Sequence, residues 1–179
     1  PLGSVLQSSF KSDLDLDLTF AVPQMTGNIT TVGLEKAIKN LAKKIDVPST
    51  DYATLYSGHS VGGALLPYIV RNKDNMPDNF NTPQGMILLA SFLVREFKSD
   101  AVPEVGPGQY QFDTCPVMTI GGELDGLCRI TRIAESYHTQ ISLNTDPVAA
   151  KHKFPVTAIE GISHMQFASG PIPSNVLKN

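Results

Sequence analysis

Short apolar runs of strand length alternate with segments of helical periodicity along this chain, and that alternation restricts the fold more than any other feature. Met86 to Ala90, Val117 to Ile120 and Pro155 to Ile159 are runs of mostly apolar residues, as expected of strands buried in a parallel sheet. Tyr52 to Ser57 is a further short strand. Between them lie the helices. Leu34, Ala37, Ile38, Leu41 and Ile45 recur at helical spacing, with Glu35, Lys36, Lys39, Lys43 and Lys44 opposite. This predicts an amphipathic helix that begins near Thr30 or Thr31 and stops before Pro48, with the lysines on its solvated face. Ala64 to Val70 reads as a second helix, with Pro67 tolerable only in its first turn, and Ile130 to Gln140 as a third. The expected architecture is α/β, with a mostly parallel central sheet and helices on both faces. Asp13 to Phe20 alternates acidic or polar with apolar residues, which predicts a half-exposed strand at a sheet edge.

With 179 residues, the chain is long enough for one domain with a hydrophobic core and too short for two of ordinary size. Pro1-Leu2-Gly3-Ser4 looks like the remnant of a cleaved expression tag, which leaves 5–179 as a single domain. The composition, 41% hydrophobic and 17% charged, is that of an ordinary globular protein. A net charge of −3 gives no basic footprint for nucleic acid. No run approaches the roughly 18 to 20 apolar residues needed to span a bilayer. Cys115 and Cys128 lack any metal-ligand or Cys-x-x-Cys spacing and are expected to be free thiols.

Gly58-His59-Ser60-Val61-Gly62 is a G-x-S-x-G motif with a strand before it and a helix after it. In that setting the serine occupies a tight, strained turn, and the flanking glycines allow strand and helix to approach closely. Its hydroxyl then stands at the carboxyl end of the strand, beside the positive end of a helix dipole. The Val61 N–H becomes a donor for an oxyanion. A serine hydroxyl is a poor nucleophile until a base removes its proton, and the base needs a carboxylate to orient it. Asp125 follows the strand Val117 to Ile120 through Gly121-Gly122-Glu123-Leu124, and His164 follows the last strand. The chain order is therefore serine, acid, histidine, each at a strand end. Glu123 is the rival acid; Asp125 is favoured because it occupies the Asp-Gly turn. His59 is expected to be structural or pocket-lining, and His138 and His152 solvated. Arg129 is expected to form a surface ion pair rather than to bind substrate.

Gly58-His59-Ser60-Val61-Gly62-Gly63, Gly121-Gly122-Glu123-Leu124-Asp125-Gly126 and Gly161-Ile162-Ser163-His164 resemble the three signature segments of the α/β-hydrolase superfamily. The likeness covers roughly Tyr52 to Gly170 and is greatest to lipase and dienelactone-hydrolase-like members. It implies a serine hydrolase that cleaves a carboxylic ester through Ser60, His164 and Asp125 and an acyl-enzyme. A non-enzymatic, receptor-like ligand-binding protein on the same fold is the alternative. No metal or organic cofactor is implied. The partner is a small ester, hydrophobic to judge from the loops Asn72 to Gln84 and Lys98 to Thr114, which would rim the pocket. The family also carries several strands before the nucleophile and a second oxyanion donor among them. Either the stretch Ala21 to Thr26 supplies that donor, with Gln24 and Met25 as candidates, or the N-terminal strands are incomplete in this chain.

Overall fold

The computed structural model describes residues 21–22, 30–44, 53–71, 83–93 and 112–167. Four strands, β1 (Leu55–His59), β2 (Gly85–Leu89), β3 (Val117–Gly122) and β4 (Val156–Ile159), form one parallel sheet in the order β1-β2-β3-β4. The register aligns Tyr56, Met86 and Val117 across three neighbouring strands, and Thr119 with Val156. Because side chains alternate along a strand, these residues share one face of the sheet.

That face carries the core. Tyr56, Met86, Leu88 and Val117 join one buried cluster with Leu34 and Ile38 of α1 (Thr31–Ala42) and Leu65, Ile69 and Val70 of α2 (Val61–Arg71). Tyr137 and Ile141 of α3 (Ile130–Leu143) pack against this cluster, which also includes Ala150 of α4 (Pro147–Lys153) and the neighbouring Phe154. Burying a side chain the size of Leu65, Leu88 or Phe154 contributes about 1.5–3 kcal/mol. A second cluster at the carboxyl end of the strands joins Ala90, Cys128 and Ile133, with Phe92, Ile130, Val156 and Phe167 around it. The alternate residues Ile87, Leu89, Met118 and Ile120 are only half buried.

The α/β class with a parallel sheet is as expected, and the helix positions differ in instructive ways. In α1, Thr30 caps the start by accepting from the Gly33 amide at 3.0 Å, and Leu34, Ala37, Ile38 and Ala42 are buried. Helix α2 starts at Val61, directly after the serine, so Pro67 lies inside it rather than in its first turn. The proline is tolerated because α2 is buried along nearly its whole length, and packing outweighs one missing N–H bond. Helix α4 was not expected. Its signal was present in Asp146-Pro147: the Asp146 carboxylate accepts from the amides of Val148 and Ala149, both at 3.0 Å, and proline suits the first helical position. The expected edge strand Asp13 to Phe20, residues 1–4, and most of the loops Asn72 to Gln84 and Lys98 to Thr114 lie outside the described residues.

Two polar side chains one turn apart on α3 fasten the connections around β2 and β3. Gln140, fully buried, accepts the Phe112 amide at 2.8 Å, and the Ser136 hydroxyl donates to the Leu93 carbonyl. Both cysteines are buried and free, as expected. Among the described residues no helix is long and apolar enough to cross a membrane, and no cluster of ligating side chains could hold a metal ion.

Candidate active site

The strand-to-helix turn after β1 forces Ser60 into the left-handed backbone region, with φ 53°. For a residue with a Cβ that conformation costs about 1–3 kcal/mol, so the surroundings must enforce it. They do so through three contacts. The Ser60 amide donates to the Leu89 carbonyl of β2 at 3.0 Å. The Ser60 carbonyl accepts the Ala64 amide at 3.0 Å, the first bond of α2, and also the buried Ser91 hydroxyl at 2.7 Å.

The turn can close because Gly58 and Gly63 face one another without side chains. A Cβ on Gly58 would lie 2.7 Å from the Gly63 backbone, and one on Gly63 would lie 2.6 Å from the Gly58 carbonyl and 2.8 Å from Ser91. The second glycine of the G-x-S-x-G motif, Gly62, has nothing within 4 Å of such an atom. The expectation that the two motif glycines allow the close approach therefore holds for Gly58 and passes from Gly62 to Gly63.

Asp125 lies in the turn that follows β3. Its carboxylate is buried: Oδ1 accepts the amides of Leu127 at 2.9 Å and Cys128 at 2.7 Å, which leaves Oδ2 free to face His164 Nδ1 at 2.7 Å. A carboxylate held by two backbone donors can only accept, so the shared proton sits on Nδ1. The other ring nitrogen of His164, Nε2, is then an acceptor, and it lies 2.8 Å from Ser60 Oγ. His164 is itself buried, at the start of a short 3₁₀ turn, His164–Phe167, after β4. Glu123, the rival acid, is exposed and accepts the Gly161 amide at 3.0 Å, where it steadies the loop that delivers His164.

His59, one residue before the serine, directs a ring nitrogen at backbone, whereas His164 reaches the Ser60 hydroxyl. The His59 Nε2 donates to the backbone carbonyl of His164 at 3.0 Å, and its ring lies 4.8 Å from the His164 ring, centroid to centroid. Partial burial pushes its pKa below the ordinary histidine value, against a smaller upward pull from that carbonyl bond. His138 and His152 are exposed, as expected, and Arg129 is exposed too, but the expected ion pair is not found for it among the described residues. The amide of Val61 opens α2 beside Ser60, where a helix leaves its first N–H groups without helical partners. Gln24 and Met25 lie outside the described residues. Sequence reasoning missed Ser91, which no motif marks; only its place just beyond β2, the strand beside the serine's own, could have suggested it.

The fold recurs in solved structures. One described as a YdeN-like hydrolase from Pectobacterium atrosepticum superposes with TM-score 0.56 at 13% identity, covering 96% of this chain and 78% of that one. The chain has the α/β-hydrolase fold. Other structures of that fold match as well: one described as a non-heme bromoperoxidase, BpoC, from Mycobacterium tuberculosis (TM-score 0.52, 12% identity, 79% of this chain and 69% of that one) and TT1662 from Thermus thermophilus (0.50, 11%, 75% and 56%). The chain thus spans little more than half the length of the Thermus protein. No family model and no curated protein sequence matches it.

Proposed function

We propose that the protein is a serine hydrolase that cleaves a carboxylic ester, with Ser60 as nucleophile, His164 as general base and acid, and Asp125 as the carboxylate that orients it. The observation that carries this reading is the unbroken line of contacts from Ser60 Oγ to His164 Nε2, 2.8 Å, and from His164 Nδ1 to Asp125 Oδ2, 2.7 Å. It begins on a serine held in a strained turn, and strain of that kind marks functional positions.

In this mechanism Ser60 Oγ attacks the ester carbonyl while its proton passes to His164 Nε2. The Asp125 carboxylate holds the imidazole in the required tautomer and stabilises the imidazolium. The negative charge that develops on the carbonyl oxygen is met by the Val61 N–H and the positive end of α2. Gln24 or Met25 is the proposed source of a second donor. The tetrahedral intermediate collapses, the alkoxide takes the proton from Nε2, and an acyl group remains on Oγ. Water then attacks the acyl-enzyme, giving its proton to Nε2 on the way in, and Ser60 leaves as the free hydroxyl with the carboxylic acid released. Exposed apolar side chains next to the reacting groups, Val61 beside Ser60 and Leu124 and Leu127 on either side of Asp125, support a hydrophobic ester as substrate.

The test is covalent labelling with a fluorophosphonate, followed by turnover of p-nitrophenyl esters of increasing acyl length. Wild type is expected to label at Ser60 and to turn over, and Ser60→Ala to lose labelling and at least about 10⁴-fold in kcat. Hydrolysis by Ser60→Ala at the wild-type rate would remove Ser60 from the mechanism. Labelling without turnover of any ester would favour a receptor-like protein that binds its ligand in the same pocket.

A further inference from the structure

We propose that His59 is a positioning residue for the hydrolytic reaction: its Nε2–H grips the backbone carbonyl of His164 and sets the distance between base and nucleophile. The inference rests on the assignment of Ser60 and His164 made above, and it concerns a side chain with no part in the proton transfers.

The geometry makes the case. His59 is the last residue of β1 and Ser60 the next in the chain, so both are fixed to the same strand end. His164 is tied to that strand end twice, once through its side chain to Ser60 Oγ at 2.8 Å and once through its own carbonyl to His59 Nε2 at 3.0 Å. The other described contacts of the histidine loop reach different elements or lie within the loop. Glu123 donates its amide to the Ile159 carbonyl and accepts the Gly161 amide, Leu124 bonds the Ile162 carbonyl, and Gln166 closes on Ser163. Those bonds place the loop against the end of β3. They leave the separation between β1 and His164 to be transmitted through two intervening strand pairings. The His59 contact bypasses that route.

A carbonyl oxygen only accepts, so His59 must carry its proton on Nε2. The ring is also steadied from the side: its centroid lies 4.8 Å from that of His164 and 6.3 Å from that of Phe167, both tilted. A partly buried imidazole that stays neutral adds no charge beside the base. A displacement of about 1 Å between reacting groups can cost around 10²-fold in rate, which is the scale on which such a grip matters.

The bond can be tested by reach. In glutamine, the amide nitrogen stands the same number of bonds from Cα as histidine Nε2, whereas the asparagine amide matches Nδ1 and falls short of the carbonyl. His59→Gln should keep kcat for p-nitrophenyl butyrate within about threefold of wild type. His59→Asn and His59→Leu should each lose about 10- to 100-fold in kcat, with KM moved by less than about threefold. Thermal melting of all three identifies any variant that simply fails to fold. Equal rates for the Gln and Asn variants, or an Asn variant within threefold of wild type, would overturn the proposal. A second readout does not depend on turnover. In ¹⁵N-labelled protein at pH 7.5, His59 should show the Nε2–H tautomer, and His59→Asn should shift the His164 ring nitrogens while His59→Gln leaves them close to wild type. An Nδ1–H tautomer at His59, or unmoved His164 signals in the Asn variant, would defeat the positioning role even in a well-folded protein. If wild type turned over no ester, the hydrolase assignment would fail on its own, and the tautomer and ring shifts would still decide whether His59 holds His164.

Discussion

Glu123 and Asp125 stand two residues apart, yet the turn between them sends the two carboxylates to different tasks. Asp125 is buried, with one oxygen committed to the amides of Leu127 and Cys128 and the other to His164. Glu123 reaches outward to the amide of Gly161. Asp125→Asn should therefore upset the tautomer of His164 and lower kcat/KM for a neutral ester by about 10⁴-fold. Glu123→Gln keeps an acceptor for Gly161 and should change it by less than about threefold. The pair of rate measurements decides the matter: collapse in the glutamine variant with little change in the asparagine variant would give the acid role to Glu123. The sequence supports the choice of Asp125 because nucleophilic chemistry demands particular residue types in a particular order at strand ends. It gives no hint of Ser91 or of the bond made by His59. Both act on backbone carbonyls, and any donor of suitable reach can do that, so no motif records it.

The turn between β1 and α2 is an element built from absences. Gly58 and Gly63 bring strand and helix together where any Cβ would strike backbone, whereas Gly62 faces open space. Gly62→Ala should be neutral or stabilise by up to about 0.5–1 kcal/mol, since alanine is the better helix former. Gly63→Ala forces a methyl group against the Gly58 carbonyl and Ser91 and should destabilise by roughly 1–3 kcal/mol. Urea unfolding of the two variants checks this, and the opposite ranking would show that the packing at the turn has been misjudged. The same element shows where periodicity misleads. Pro67 suggests a helix that begins late, because proline is excluded from helix interiors by a local rule. The observed helix begins at Val61, because burial of Leu65, Leu66, Ile69 and Val70 is a tertiary gain that exceeds a local penalty. Helix α4 escaped notice for the converse reason. Seven residues are too few to display a convincing apolar stripe, although the cap at Asp146 was legible.

Across the whole molecule, the parallel sheet was the most readable feature, because strands covered by helices need continuous apolar runs and helices cannot hide that signature. What could not be read was which side of each strand would carry the core, since a run that is apolar throughout does not distinguish its two faces. The cysteines follow from the same packing. Cys115 lies just before β3 and Cys128 just before α3, both buried, and burial pushes their thiols up to about 11 and about 12. At pH 8 they should remain protonated and sheltered. Ellman's reagent should leave the folded protein unmodified for many minutes and then titrate 2 thiols once urea is added. Rapid modification of the native protein would mean that the core around them opens easily.

The distances along the chain have a consequence of their own. Ser60 and His164 are separated by 104 positions and Asp125 and His164 by 39, so the contacts that join them span all four strands. Contacts of such long range are the slow part of folding, after local helices have formed. A chain on its way to the native state carries the hydroxyl of Ser60 long before it carries the imidazole that would arm it. On the proposed mechanism, reactivity at Ser60 is thus withheld from every partly assembled form, and the fold itself acts as the safety catch, released only when the last strand has docked.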